Sequence, residues 1–345
     1  MEIKEAIAKL KERENLKKEE AYEVFKKIAT NNFEDEEVEL FLDLLRKKGE
    51  TWQEITGAVM AYREIMIKVP HNLPESAIIV DTCGTGGDNK HTFNFSTAVA
   101  IALSALEGIY VAKHGNRSVS SKCGSADLLE ACGIPLDLTP EAGALALEEI
   151  GFSFLFAPLY HPAFKRVAGI RKKLGRTIFN TLGPLLNPAL ANYQLLGVYD
   201  FLLTEKIAYV LDSIGVKRAL VVFGEEGYDE ITITGSTKIS ELRDGKITTY
   251  YVDPENFGFE RCTIPEELTI KDPSQSKEIL ENLLKGKLEG PIMDMFLLNL
   301  GGAIYLCEKA IDFKGGIKKA RELIQSGQAW EKWQEILKYY KKFKN

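Results

Sequence analysis

Four polar stretches of this chain carry residue types that handle phosphate, metal and carboxylate. The first, Asp81-Thr-Cys-Gly-Thr-Gly-Gly-Asp88-Asn-Lys-His-Thr-Phe-Asn-Phe-Ser96-Thr97, sets glycines and hydroxyls between two apolar runs. Glycine allows positive φ and close backbone approach. A glycine turn that leads into a helix aims N–H groups at an anion. Thr92, Ser96 and Thr97 add hydroxyls, and Asn94 adds an amide. Asp88, a carboxylate beside phosphates, would orient hydroxyls or stand near a cation.

Two common phosphate motifs do not fit. Gly84-x-Gly86 begins a dinucleotide fingerprint, but its third glycine position is Asn89, and Lys113 rather than an acid ends the next strand. The G-x-x-x-x-G-K-[ST] pattern is also missing from this loop.

The second stretch is Lys113-His-Gly-Asn-Arg-Ser-Val-Ser-Ser-Lys-Cys-Gly-Ser-Ala-Asp127, which is cationic and rich in hydroxyls and amides. It follows the next expected strand, so in a parallel sheet it meets the first loop at one rim. The third, Glu225-Glu-Gly-Tyr-Asp229-Glu230, places adjacent carboxylates after another strand. Such a pair suits a hard divalent cation whose remaining ligands are waters and phosphate oxygens. The fourth runs from His161 to Pro184 and combines a basic helix with a Gly-Pro turn. An arginine there can hold a carboxylate bidentately. Spacing does not choose among Arg166, Arg171, Lys172 and Lys173.

These stretches need a scaffold to bring them together. The first seventy residues have helical periodicity, with Ile3, Ile7 and Leu10, then Ala21, Val24, Phe25 and Ile28, then Val38, Phe41, Leu42 and Leu45. Thr51-Trp-Gln-Glu54 is a capping box for a fourth helix expected to reach Ile67. Residues 1–73 therefore read as a helical domain, joined by part of 165–185. From Ala77 strands alternate with helices. Strands are expected at 78–80, 109–112, 152–156, 193–198 and 219–223, with helices from Ser96, Ser125, Thr139-Pro140 and Thr204 between them. This grammar predicts an α/β domain over 74–345, with a central, mostly parallel sheet flanked by helices. Residues 238–252 read as a hairpin around Asp244-Gly245, and the last eighty residues as helices. The basic and aromatic end, Lys338-Tyr-Tyr-Lys-Lys-Phe-Lys344, reads as a solvated helix terminus.

Composition bounds the partners. The 345 residues are 45% hydrophobic and 27% charged, with net charge −6. That balance opposes a general nucleic-acid binder. The absence of a long apolar run or a secretion leader predicts a cytoplasmic protein with no membrane partner. Five scattered cysteines without a C-x-x-C read as reduced thiols. Cys83 lies in the first stretch and reads as a small residue tucked behind it.

Together these marks resemble the anthranilate phosphoribosyltransferase family of tryptophan biosynthesis. The resemblance rests on Gly84-Thr-Gly-Gly-Asp88, Asn94-Phe-Ser-Thr97, Lys113-His-Gly-Asn-Arg117, Gly124-Ser-Ala-Asp127, Arg171, Asn180-x-Leu-Gly-Pro184 and Asp229-Glu230. It implies a homodimer joined through the helical domain, with phosphoribosyl pyrophosphate (PRPP) between the two domains and two Mg²⁺ per subunit. It implies PRPP contacts from Gly84, Gly86, Gly87, Asp88, Thr92, Asn94, Phe95, Ser96, Thr97, Lys113, His114, Gly115, Asn116, Arg117, Ser118, Ser120, Ser121 and Ser125. Gly84, His114, Asn116 and Arg171 would meet anthranilate. Ser96 would bind one Mg²⁺, and Asp229 and Glu230 the other. An aromatic amine needs no strong base, so no acid or base is assigned.

The chain departs from the family pattern at Asn89, where glycine is frequent, and at Leu174-Gly-Arg176-Thr, which is one residue shorter than in many relatives. A pyrimidine nucleoside phosphorylase and a non-catalytic relative that binds nucleic acid are the competing readings. The run Asp229-Glu-x-x-x-Thr234-Gly235 mimics the PRPP signature of the unrelated type I phosphoribosyltransferases, but Glu225-Glu-Gly-Tyr228 separates it from the preceding strand.

Overall fold

The computed structural model describes residues 1–30, 33–86, 90–118 and 122–343. The N-terminal periodicity becomes α1 (Ile3–Lys11), α2 (Lys18–Ala29), α3 (Asp35–Lys48) and α4 (Trp52–Ile65), each burying the stripe its spacing marks. Thr51 N donates to Glu54 Oε2 at 2.8 Å and Glu54 N donates to Thr51 Oγ1 at 3.3 Å, which closes the expected capping box. Glu54 is fully buried. Its carboxylate also accepts from Leu16 N at 2.8 Å and from Lys48 Nζ at 2.9 Å, so the buried charge is matched. The helix α4 ends at Ile65, short of the expected Ile67. Ile67 N donates instead to Tyr160 O at 2.9 Å, which ties the chain to the large domain.

Seven strands form one sheet: β1 (Ile78–Gly84), β2 (Ile109–Gly115), β3 (Phe152–Phe156), β4 (Tyr193–Gly197), β5 (Arg218–Gly224), β6 (Thr237–Arg243) and β7 (Lys246–Val252). Their order is β3-β2-β1-β4-β5-β6-β7. The first five are parallel, and β6 and β7 add an antiparallel edge. Asp244 (φ 52°) and Gly245 (φ 71°) both take the left-handed region, as a two-residue hairpin turn requires. The chain runs outward from β1 through β2 to β3 on one side and resumes at β4 on the other. The C-terminal ends of β1 and β4 are therefore the point where an open α/β sheet parts to admit a ligand.

Helices cover both faces. The helices α5 (Phe95–Leu103), α6 (Ser125–Ala131) and α7 (Pro140–Ile150) follow β1 and β2. Three short helices, α8 (Ala157–Tyr160), α9 (Ala168–Leu174) and α10 (Ile178–Leu182), precede β4, and α11 (Leu203–Ser213) precedes β5. The chain closes with α12 (Pro273–Leu284), α13 (Pro291–Leu306), α14 (Phe313–Gln325) and α15 (Gln328–Tyr340). Along β5, Leu220 and Val222 face the core shared with α5, α13 and α15, whereas Ala219 and Val221 face the core shared with α4 and α11. Alternate residues of one strand thus feed two cores, as a sheet buried on both faces demands.

The second of those cores runs without a break from α1–α4 through Val167, Ile170, Phe179 and Leu182 to α11. Arg63 of α4 crosses the same junction. It is half-buried, and desolvation lowers its pKa to about 10. Its donors end on Leu185 O and Ile214 O, both at 3.2 Å. The C-terminal end differs from the expected solvated terminus. Tyr339 and Tyr340 are buried, while Lys338, Lys341 and Lys342 are exposed, so the aromatic residues belong to the core and only the charges are solvated.

Candidate active site

Both β1 and β2 run past their expected ends, and this changes the character of the first two polar stretches. Residues 81–84 lie in β1, and Lys113, His114 and Gly115 lie in β2, where polar composition suggests loop. Parallel pairing of β1 with β4 and of β2 with β3 outweighs that composition. Lys113 is consequently only 2% exposed. Its ammonium donates to Thr82 O at 2.6 Å and reaches Ser96 Oγ at 3.4 Å. Burial lowers its pKa, while Asp81, Cys83, Asp229 and Glu230 act to raise it. Cys83 is buried in the strand, and burial pushes its thiol pKa far up, so it is an inert packing residue as expected.

Asp81 is fully buried beneath Lys113. Its oxygens accept from His114 N at 3.2 Å and from Asn187 Nδ2 at 2.8 Å. Burial raises its pKa, and the Lys113 charge and these bonds oppose the rise. Thr82 Oγ1 donates to Ser96 O at 2.7 Å and so fixes the first turn of α5 against β1.

The acidic turn lies across the tips of β1 and β4. Gly86 N donates to Asp229 Oδ2 at 2.9 Å. A Cβ on Gly84 would stand 2.3 Å from the same oxygen, and one on Gly197 would stand 1.5 Å from Asp229 O. These two glycines are what let the carboxylates reach the sheet. Gly86 itself has φ +61°. Lys90 of the first stretch lies 4.9 Å over the Tyr228 ring of the acidic turn. The first stretch, Lys113 and the acidic pair therefore meet in one place.

The remaining phosphate-type residues divide by what they touch. The Asn94 amide donates to Cys123 O at 2.9 Å and accepts from Ser276 Oγ at 2.8 Å, so it braces the two stretches against α12. Phe95 is a core side chain, in edge-to-face contact with Phe93 at 5.2 Å. Thr92 pairs with Thr269 in an isolated antiparallel bridge. The Thr97 hydroxyl is buried and has no hydrogen-bond partner among the described residues.

Arg117 is turned onto Asp127 at 3.0 Å and Glu130 at 2.7 Å and 2.8 Å. Asp127 also accepts from Ser118 N at 3.0 Å and Gly124 N at 2.8 Å. Ser125 Oγ accepts from Asn116 N at 3.2 Å, and its crowding against Gly115 leaves no room for a Cβ there. Residues 116–118 are thus bonded to the start of α6 and the turn before it. Gly87, Asp88, Ser120 and Ser121 lie outside the described residues, as does Asn89.

Beside the phosphate-type residues lies an aromatic cluster. His114 Nε2 and His161 Nε2 are 3.1 Å apart, so one ring donates and the other accepts. Burial depresses both, His161 to about 4 and His114 well below its ordinary value, which keeps the pair neutral. His161 packs on Phe164 at 5.6 Å. The Arg171 guanidinium stands over the Phe164 and Phe179 rings at 5.5 and 5.6 Å. The basic side chains differ in surroundings, and Lys172 is exposed. Arg166 donates to Ala29 O at 2.8 Å, and Lys173 pairs with Glu39 at 2.7 Å, whereas Arg171 is half-buried among rings.

Such an arrangement suits a ligand with a polyanionic end, placed near Lys113 and the N-terminus of α5, and an aromatic carboxylate at the Arg171 end. Sequence reasoning gave no role to Asp81 or His161, which head the first and fourth stretches, and did not single out Asn187 or Gly197. Asp81 and Gly197 did carry a signal, an aspartate inside an apolar strand and a glycine closing one. Asn187 and His161 carried none, because their partners are distant in the chain.

Two family models cover the chain, the helical bundle domain of a glycosyl transferase family over residues 4–66 and the a/b domain of that family over residues 76–330. The anthranilate phosphoribosyltransferase of Desulfosudis oleivorans is 46% identical over 338 residues, covering 98% of each chain. The crystal structure of anthranilate phosphoribosyltransferase from Thermus thermophilus matches with TM-score 0.90 at 38% identity, over 97% of this chain and 99% of that one. The Saccharomyces cerevisiae enzyme in complex with PRPP and Mg matches with TM-score 0.88 at 28% identity, over 99% and 98%. The yeast enzyme is also solved with 4-fluoroanthranilate.

Proposed function

The chain belongs to the anthranilate phosphoribosyltransferase family, and on that premise we propose how its residues divide the reaction. It transfers the phosphoribosyl group of PRPP to the amine of anthranilate, giving N-(5-phosphoribosyl)anthranilate and pyrophosphate in tryptophan biosynthesis. One observation carries the residue assignment: Lys113, the N-terminus of α5 and the acidic turn converge where β1 and β4 part.

The glycine stretch, Ser96, Thr97 and the loop after β2 hold the pyrophosphate and the ribose phosphate. Lys113 faces the leaving pyrophosphate and stabilises the charge that builds on it. Anthranilate's amine displaces pyrophosphate at ribose C1 with inversion, through an oxocarbenium-like transition state. Arg171 holds the anthranilate carboxylate, and Gly84, His114 and Asn116 border the ring. The helical domain, residues 1–73 with part of 165–185, closes on residues 74–345 and excludes water as a rival nucleophile.

The oxygen donors Ser96, Asp229 and Glu230 fit Mg²⁺. Among the described residues no three His, Cys, Asp or Glu side chains are arranged to hold a metal ion by themselves. A hard cation that keeps water and phosphate ligands needs no more from the protein than such an open set. Bound Mg²⁺ would offset pyrophosphate charge. Ser96 would hold one ion and the acidic pair a second, two per subunit.

The enzyme is a cytoplasmic homodimer in this reading, joined through the helical domain, where Leu40 and Met60 are exposed apolar side chains. The five cysteines form no disulfide, and no described helix is long and apolar enough to cross a membrane. Sedimentation at micromolar concentration tests the dimer, and a monomer would sink it.

Mixing the protein with Mg²⁺, PRPP and anthranilate should extinguish anthranilate fluorescence. Phosphorolysis of thymidine or uridine in place of that signal would favour a nucleoside phosphorylase, and a gel shift without turnover would favour the nucleic-acid-binding relative. Gly197→Ala probes the architecture. Its Cβ displaces the acidic turn, and misplacement by about 1 Å costs turnover on the order of 10²-fold. Gly169→Ala, with nothing within 4 Å of its Cβ, should be silent in the same assay. Equal rates for the two variants would remove the acidic turn from the reaction.

A further inference from the structure

Tyr62 of α4 is 1% exposed. Its ring meets Phe164 edge-on at 5.1 Å and Phe179 edge-on at 5.6 Å, and those two rings meet each other at 5.5 Å. Arg171 stands over the same two rings. Phenylalanine would make every one of these ring contacts. What tyrosine adds is one oxygen, and that oxygen is buried with no hydrogen-bond partner among the described residues. A buried hydroxyl without a partner costs stability that phenylalanine would not lose. The hydroxyl is therefore unexplained by packing.

The charges that act on the phenol are those of Arg171 and Arg166. Arg166 spends a donor on Ala29 O, whereas Arg171 stands over the two rings that Tyr62 meets. For Arg171, burial lowers the pKa, and Tyr62 is the influence that opposes it. A guanidinium has five N–H donors, of which a bidentate carboxylate uses two. As a ligand desolvates the cluster, the remaining donors need acceptors. A phenol oxygen meets that need without neutralising the cation, whereas a carboxylate there would compete with the substrate.

We infer that Tyr62 is a positioning residue for the aromatic acid, its phenol oxygen accepting from Arg171 once the ligand is bound and fixing the plane in which the guanidinium receives the substrate carboxylate. This rests on the reading of Arg171 as the carboxylate receptor. It also makes the helical domain a direct contributor to acceptor specificity, since α4 supplies the oxygen.

The test is a double-mutant cycle on the full-length protein with Tyr62→Phe, Arg171→Ala and the pair, measuring KM for anthranilate, KM for PRPP, kcat and melting temperature. Tyr62→Phe should raise the anthranilate KM about tenfold, the size of one hydrogen bond to a charged group. The PRPP KM and kcat should stay within about twofold, and the melting temperature should hold or rise, because an unpartnered hydroxyl has gone. In the Arg171→Ala background Tyr62→Phe should add nothing. If Arg171→Ala raises the anthranilate KM while Tyr62→Phe leaves it unmoved, the inference about Tyr62 fails alone. If Arg171→Ala itself spares anthranilate, the premise fails and the inference with it. Equal losses for both substrates, or additive effects in the pair, would also overturn it.

Discussion

Lys113→Met should lower kcat/KM for PRPP by roughly 10² to 10³-fold, the usual cost of removing one preorganised donor to developing negative charge. Methionine keeps most of the buried volume, so the loss isolates the ammonium. The anthranilate KM should change little. A defect confined to anthranilate would remove Lys113 from the phosphate role.

The same variant carries a signature in stability. Asp81 is fully buried, its pKa is raised by burial, and the Lys113 charge holds that rise in check. A carboxylate whose folded pKa lies above its unfolded value costs nothing below the unfolded pKa, where both states are protonated. Its penalty grows as pH rises past that value. Losing Lys113 enlarges the penalty. The deficit in melting temperature should therefore be larger at about pH 8 than at about pH 5. A deficit that narrows with rising pH would mean that Asp81 does not depend on Lys113.

Asp229→Asn together with Glu230→Gln should cost on the order of 10²-fold in kcat and flatten its dependence on Mg²⁺. The amides are close to isosteric, and the new amide at position 229 would retain an oxygen to accept from Gly86 N, the bond that seats the turn. The fold at the β1 and β4 tips is thus preserved while two negative charges are removed. An unchanged Mg²⁺ titration would take the acidic pair out of the metal site. The single variants separate the two residues: Glu230→Gln leaves the bond between Gly86 and Asp229 untouched, so its effect reports charge alone.

Much of the architecture was legible because its signals are local. The stripes of α1 to α3, the Thr51–Glu54 capping box, the Thr139-Pro140 start of α7 and the Asp244-Gly245 turn all act within a few residues, and each stands where the spacing put it. Element ends were less legible. Polar composition suggested that β1 and β2 stop before Asp81 and Lys113, yet ladder pairing with β4 and β3 carries both strands to their glycines. The tyrosines at the end of α15 read as solvated beside their lysines, and tertiary packing buried them.

The chain by itself determined which chemistry is available: glycines and hydroxyls ahead of a helix, a lysine at a strand end, two adjacent carboxylates and a cluster of basic residues. Those are properties of residue type and short spacing, and no fold is needed to state them. Only the tertiary structure decided which of them come together. Strand order brings Gly86, Lys113 and Asp229 together from distant parts of the chain, and burial sets the protonation of His114 and His161. The distinct surroundings of Arg171 likewise come from packing, since its rings are those of Phe164 and Phe179, and Tyr62 arrives from another domain. Electrostatic environment and neighbourhood depend on distance in space, and distance along a chain does not encode it.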